Sequence, residues 1–291
     1  MLTKASFHSL LAAGPLRLDG ATGSNLMKAG MPRGCCTETW VLEHPEALIS
    51  LQRAYAEAGS QVIYAPTFQA QPIALERVGL ANDCEKVNEQ LAKLSRSVSP
   101  DILVAGDLTT LAVYCDSFDP ANFDMLVDNY RRQIKGLIAG SVDLLIGETL
   151  MYPQEAEAIL TAAELEGFSS CMFTFTMQPD GSLFSGMNVI PCLQELSDAG
   201  ALAVGFNCVA ADDMTAGLVA KLRRHIRCPI ICKPNAGVPI IGEDNLPHYP
   251  MKPAEFAAIL SDCLAMGAQV IGGCCGTDPE YIRAITPRIK K

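Results

Sequence analysis

The chain has 291 residues, 49% hydrophobic and 19% charged, with a formal net charge of −10. Soluble domains average about 25% charged residues, so the sequence is apolar for its length and suits one large core, while its negative charge argues against binding a nucleic-acid backbone. No uninterrupted apolar run approaches the roughly 18 to 20 residues of a membrane span, and 23 Gly with 18 Pro exclude collagen-like and low-complexity classes.

The first twenty residues, MLTKASFHSLLAAGPLRLDG, carry one Lys and a short apolar patch. That is a weak match to a secretory signal, because LRLDG follows at once and reads as a strand. A cytoplasmic protein is expected. Strand-like runs follow at Leu16–Asp19, Val62–Ala65, Ile102–Ala105, Asp143–Gly147, Ser170–Phe175, Ala201–Gly205, Pro229–Cys232 and Gln269–Gly272. Most are continuously apolar, as in parallel strands buried on both faces. Amphipathic stretches lie between them. Pro45–Ala58 opens with Pro at a helix start and spaces its apolar residues helically. Phe123–Ala139, Gln154–Leu165, Ala211–His225 and Pro253–Met266 behave similarly. The repeat of strand, loop and helix predicts an α/β fold, a (β/α)8 TIM barrel, as a single domain over residues 1–291. A doubly wound open sheet is the runner-up. It needs a glycine-rich phosphate turn after an early strand, and DGATGSN is only a loose G-x-x-G. Walker, HExxH and GxSxG sequences are absent.

In a barrel the chemistry sits where the strands end at the top face. The strand ends read Asp19, Thr67, Asp107, Glu148, Thr176, Asn207–Cys208, Asn235 and Cys274–Cys275. Barrel walls do not need such residues. Of the twelve cysteines, Cys171, Cys232 and Cys263 lie in apolar segments and read as small buried hydrophobes. Two vicinal pairs stand apart, Cys35–Cys36 and Cys274–Cys275. The most specific feature is the triple of Cys208, in GFNC, with Cys274 and Cys275, in GGCCGT. Strands six and eight are second neighbours round a barrel, so their tops can converge. Three thiolates with an open fourth position is the arrangement of a catalytic zinc site. Buried packing, a redox pair and a nucleophilic cysteine are the other readings. The last is weakened because His8, His44, His225 and His248 all lie away from the strand ends.

LDGATGSNLMKAG (18–30), YAEAGSQVIYAPTF (55–68), GET (147–149), GFNC (205–208), KPNAGVPI (233–240) and GGCCGT (272–277) together resemble the homocysteine S-methyltransferase family. That family includes the homocysteine-binding module of cobalamin-dependent methionine synthase. The motifs span nearly the whole chain in the family's order. The resemblance implies a (β/α)8 barrel that holds Zn2+ through Cys208, Cys274 and Cys275 and methylates homocysteine to methionine. A free thiol titrates near about 8.5, and on zinc it is deprotonated outright. Three cysteine thiolates with Zn2+ sum to −1, so an added substrate thiolate keeps its electron density. Asp19 and Glu148 are expected partners for the substrate ammonium, as the resemblance also implies. The amides of Gly20, Ala21 and Thr22 are expected to hold its carboxylate as a backbone nest. Asn235 is expected to orient substrate or a loop near the metal, with plain loop structure as the alternative.

Departures from the family lie on the rim. GDLTTLAVY (106–114) has Thr109–Thr110 where a Gly-Pro turn is common, and Leu150 stands where an aromatic is frequent. RGCCTETW (33–40) carries Cys35–Cys36, for which packing is the expected role. Gly30–Pro32 and Gly242–Pro250 read as rim loops that move. The chain ends soon after GGCCGT, so the methyl donor is expected in trans. A methyl-corrinoid protein carrying methylcobalamin and fed by methyl-folate is favoured on PNAG. Trp40, after TET, is similar to the sulfonium-dependent branch and keeps S-methylmethionine or betaine open. A different thiol substrate, and a zinc-binding or redox protein without catalysis, are the remaining alternatives.

Overall fold

The computed structural model describes residues 1–242 and 247–286. Eight parallel strands build the barrel: β1 (Leu16–Arg17), β2 (Val62–Tyr64), β3 (Leu103–Thr109), β4 (Leu144–Leu150), β5 (Cys171–Phe175), β6 (Ala203–Ala210), β7 (Ile230–Asn235) and β8 (Ala268–Ile271). Ladder hydrogen bonds run in the order β1-β8-β7-β6-β5-β4-β3-β2. Every neighbour is therefore consecutive in sequence or joins the first strand to the last, which is barrel topology and overturns the doubly wound alternative. The seam between β1 and β2 is closed by other means. Gln61 N–H donates to Arg17 O at 2.8 Å, Arg17 N–H donates to Gln61 Oε1 at 3.2 Å, and Tyr64 N–H donates to Asp19 Oδ2 at 2.8 Å.

The helices Pro45–Ala58 and Phe123–Ala139 have the expected bounds, and those after β4 and β7 begin or end one residue away, at Pro153–Leu165 and Pro253–Ala265. The helix after β6 begins at Thr215 rather than Ala211, because Asp212 first makes a turn that accepts the Met214 N–H at 2.9 Å. Helices at Cys84–Arg96 and Ile190–Asp198 complete the outer layer between β2 and β3 and between β5 and β6. At the other end of the barrel the N-terminal apolar patch is a helix, Lys4–Ala12, whose Phe7 is fully buried among Leu16, Leu144 and Met172. It plugs the bottom of the barrel. Among the described residues no helix is long and apolar enough to cross a membrane.

Four barrel strands extend further up than their apolar runs, and this places the polar residues. Counting by twos from the interior residues Ala105, Ile146, Ala203, Ile231 and Val270 leads to Asp107, Glu148, Asn207, Lys233 and Cys274. Successive side chains of a strand alternate sides, so the first four share the inward face directly above the apolar filling, and Cys274, three residues past the end of β8, is brought beside Asn207 by the segment that follows the strand. Ladder pairing continues to Glu148 in β4 and to Asn235 in β7. Most of the site therefore stands on hydrogen-bonded strand rather than loop.

Candidate metal centre and substrate cavity

Cys208, Cys274 and Cys275 converge at the barrel top, with their three sulfurs all within 4.8 Å of one another. Cys208 Sγ lies 3.9 Å from Cys275 Sγ, and Cys274 Sγ lies 4.0 Å from Cys275 Sγ. A tetrahedral ion with Zn–S of about 2.3 Å needs sulfurs roughly 3.8 Å apart. The triple fits such an ion with little adjustment. None of the twelve cysteines forms a disulfide.

The backbone makes this convergence by departing from plain strand geometry. Asn207 and Cys208 are adjacent, so a regular strand would point them to opposite sides. Cys208 adopts φ 55°, and the ladder of β6 with β7 shifts register between Asn207 and Ala210. The twist brings both side chains to the site. A left-handed conformation costs a non-glycine residue about 1 kcal/mol or more. Thr149 shows the same device, with φ 58° and a register shift between Gly147 and Leu150, so Glu148 and Thr149 both line the cavity. After Cys275 the chain turns through Gly276 at φ 80°. A Cβ there would lie 2.2 Å from Tyr249 Cγ, so only glycine fits.

Sharing protons among three close sulfurs separates their acidities. Hydrogen bonds from Cys208 and then Cys274 pull Cys275 down to about 3. The same contacts hold Cys208 far above its ordinary value. Asn235 Oδ1 accepts the Cys275 N–H at 3.0 Å, and Cys274 N–H donates to Pro234 O at 2.8 Å. Asn235 thus orients the cysteine turn. Cys35 and Cys36 lie elsewhere, in the apolar cluster with Leu26, Trp40 and Val41. Cys36 Sγ donates to Glu38 Oε2 at 3.1 Å.

A cavity of about 930 Å³ opens above the sulfurs, lined by Cys208, Cys274, Cys275, Glu148, Asp107 and Lys233 among others. Lys233 was not foreseen as a site residue. It is 3% exposed, with Nζ 3.3 Å from Glu148 Oε1 and 4.0 Å from Asp19 Oδ1. Its ammonium sits 4.6 Å from the centre of the Tyr64 ring. Glu148 Oε1 also accepts from Asn207 Nδ2 at 2.9 Å. Burial raises Asp19 and Glu148 each to about 7 against the opposing field of Lys233. Asp107 is pushed well above the usual carboxylate range by burial and by Glu148. The acids in turn raise Lys233 against its own burial, so it is an ammonium at neutral pH.

Gly20, Ala21 and Thr22 line the cavity, whereas Asp19 and Asn235 are not among its lining residues. A Cβ on Gly20 would lie 2.6 Å from Tyr55 Oη. The Ala21 N–H already donates to Thr277 Oγ1 at 3.2 Å. Thr67 and Thr176 stand outside the lining, and Thr67 is buried with Oγ1 donating to Asp107 O at 2.9 Å. Lys233 was legible as the residue two beyond inward Ile231, had the strand been carried past Cys232. Asn207, expected with Cys208 at a strand end, donates from Nδ2 to Thr149 Oγ1 at 2.7 Å as well as to Glu148. The moving rim loop expected at Gly242–Pro250 falls partly outside the described residues. On either side of the gap, Ile240–Ile241 pairs with Pro247–His248.

The same architecture recurs in known proteins. The chain is similar to a homocysteine methyltransferase, MmuM from Escherichia coli in a metallated form, with TM-score 0.83, 24% identity and coverage of 97% of this chain and 99% of that one. A methyltransferase from Methanosarcina mazei shares the fold at TM-score 0.62 and 15% identity, over 99% of this chain and 98% of that one. Methionine synthases of Mycobacterium leprae and Mycobacterium tuberculosis are 24% and 25% identical over 94% and 93% of this chain. The chain spans about a quarter (24%) of the length of those two relatives. The profile of the family described as Homocysteine S-methyltransferase matches residues 16–289, nearly the whole chain, and the chain therefore belongs to the homocysteine S-methyltransferase family.

Proposed function

We propose that this protein is a zinc-dependent thiol S-methyltransferase that methylates homocysteine to methionine, with Cys208, Cys274 and Cys275 holding the metal. The convergence of three sulfurs beneath a cavity of substrate size carries this reading. Zinc held by these residues supplies the Lewis acidity that keeps a fourth sulfur as thiolate at neutral pH. The protein does the rest by placement. The substrate thiol enters the cavity over the cysteine triple and gives up its proton. The acidic pocket around Asp19 and Glu148 draws the substrate's ammonium end. Backbone amides of Gly20 and Thr22 remain for the carboxylate, the Ala21 amide being engaged by Thr277. The substrate sulfur then attacks the donor's methyl carbon: the S–C bond forms as the bond from methyl to donor breaks, and the demethylated donor leaves with that bonding electron pair.

The donor is proposed to be a methyl-corrinoid protein acting in trans. Exposed apolar side chains on the loops that follow β3, β5, β6 and β7 support a macromolecular donor, among them Val113, Phe118, Phe184, Met214 and Val238, each at least half exposed. A second reading, a small sulfonium donor, rests on the resemblance of TETW (37–40) to the sulfonium-dependent branch of the family.

Metal analysis with homocysteine titration tests the proposal. One zinc per chain is expected, with homocysteine binding that releases a proton. Cys208→Ala should lose both. Carefully reduced wild-type protein without zinc, or unchanged homocysteine binding in the variant, would overturn it.

A further inference from the structure

We propose that Asn207 is a positioning residue: its side chain braces the left-handed turns at Thr149 and Cys208 against each other and so keeps Glu148 in register with the cysteine sulfurs. The inference rests on the reading of the site as a thiol-activating centre and assigns what fixes the geometry of that centre.

Two strands leave regular geometry at the top of the barrel. Thr149 and Cys208, at φ 58° and 55°, are two of the three non-glycine residues with positive φ among the described residues. The third, Ser141, follows the helix Phe123–Ala139. At both points the sheet ladder lapses. β4 shifts register against β5 between Gly147 and Leu150, and β6 shifts against β7 between Asn207 and Ala210. A left-handed conformation is costly for a β-branched residue such as Thr, and it persists only where the surroundings over-determine it. The lapsed ladder cannot supply that hold.

Asn207 supplies it. Its side chain is fully buried and directs its hydrogen bonds to the end of β4, on the far side of β5. Its Oδ1 accepts the Thr149 N–H at 2.9 Å. Its Nδ2 donates to Thr149 Oγ1 at 2.7 Å and to Glu148 Oε1 at 2.9 Å, which uses both amide hydrogens. One side chain thus pins the amide and the hydroxyl of Thr149 and fixes the turn without a ladder bond. On the other flank the Glu148 carbonyl accepts from Thr109 Oγ1 at 2.8 Å. The corner is therefore anchored before Thr149 and depends on Asn207 beyond it. Asn207 Nδ2 also lies 3.8 Å from Cys274 Sγ, and Asn207 is bonded through its own carbonyl to Cys208. The Glu148 carboxylate, the strained turn beside it and two of the three cysteines all meet at this one residue. Working sites need their groups held within about 0.5 Å, and this brace ties the acid to the sulfurs.

The test compares wild type with Asn207→Ala, Thr149→Val and Thr149→Gly. It reads zinc affinity by chelator competition and homocysteine affinity by calorimetric titration of the zinc-loaded proteins. Asn207→Ala should weaken zinc and homocysteine each at least about tenfold, since the whole brace is lost. Thr149→Val keeps the shape and the strain but loses the hydroxyl, and should weaken homocysteine at least about fivefold. Thr149→Gly loses the same hydroxyl, but glycine adopts positive φ freely, so it should bind homocysteine at least about threefold more tightly than Thr149→Val. A residue that mattered only through its side-chain contacts would give the opposite order, because glycine removes more of it. Glycine binding no better than valine would overturn the proposal. So would an Asn207→Ala protein that keeps either affinity within about threefold of wild type. The pair at position 149 decides the matter if Asn207→Ala does not fold. If zinc-loaded wild type binds no homocysteine, the thiol-activating reading itself fails, and zinc still judges the brace: a loss of about tenfold in Asn207→Ala upholds it and wild-type affinity refutes it.

Discussion

Lys233→Met is the most informative perturbation of the fold beneath the site, because its effect should change with pH. Lys233 is almost wholly buried, and its partners are the carboxyls of Glu148 at 3.3 Å and Asp19 at 4.0 Å. The rise of Asp19 from 3.8 to about 7 corresponds to about 4 kcal/mol at about 1.4 kcal/mol per pKa unit. Both carboxyls are raised above their unfolded values. Between about pH 4 and 7 the folded protein therefore holds protons that the unfolded chain has released, and these groups lower stability as pH rises through that window. Lys233 opposes the rise in both, so its removal extends the loss above pH 7. At about pH 5.5 the carboxyls are protonated with or without it. The variant then sheds a buried charge and should unfold at or above the wild-type temperature. At about pH 8.5 the wild type pairs ionised carboxylates with an ammonium and the variant cannot. Breaking a buried pair costs about 3–5 kcal/mol, or about 5–8 °C for a chain of this length. Thermal unfolding of metal-free protein, followed by circular dichroism at the two pH values, reads the difference. A gap between variant and wild type that stays constant with pH would refute the reasoning and reduce Lys233 to packing.

Other consequences follow from single residues. Cys208→Ser should lower zinc affinity by at least about a hundredfold in chelator competition, because one of three thiolates is lost from a site worth roughly 10–16 kcal/mol when fully ligated; wild-type affinity in the variant would remove Cys208 from the site. Gly205→Ala would put a Cβ 2.0 Å from Ile231 O on the neighbouring strand, forcing β6 from β7 at an expected cost of about 3 kcal/mol or more. Gly217→Ala, in the helix Thr215–His225 with nothing within 4 Å, should instead stabilise by up to about 1 kcal/mol; urea unfolding of the two variants should show opposite shifts. Replacing Cys35 and Cys36 together with Ser should leave zinc at one per chain and destabilise through the buried Cys36, and a fall in metal content would assign that pair to metal binding.

The sequence alone determined the frame of this protein. Continuous apolar runs separated by amphipathic stretches specify parallel strands covered by helices, since a strand buried on both faces has no polar side to alternate with. The same periodicity placed Pro45–Ala58 and Phe123–Ala139 to the residue. The cysteine triple was legible because GFNC and GGCCGT combine thiols with turn-forming glycines at strand ends. The tops of β3, β4, β6 and β7 were not, because a hydropathy pattern ends where polar residues begin, while the ladder hydrogen bonds that define a strand do not depend on side-chain polarity. Lys233 lay in that blind stretch, and Asp107 and Asn207 were legible only as residues at which strands end.

Tertiary structure alone decided how the charges pair. Asp19 and Lys233 are more than two hundred positions apart in sequence, and only closure of the barrel sets them 4.0 Å apart. One oxygen of Asp19 is taken by the seam between β1 and β2. Whether a carboxylate is free for a ligand depends on which donors the fold has already brought to it, and no local pattern encodes that count. The left-handed turn at Cys208 is similar, since only the surrounding packing can hold a non-glycine residue there. Residue types announced the cysteine triple, and distant strands supplied the partners that engage Asp19, Glu148 and Lys233.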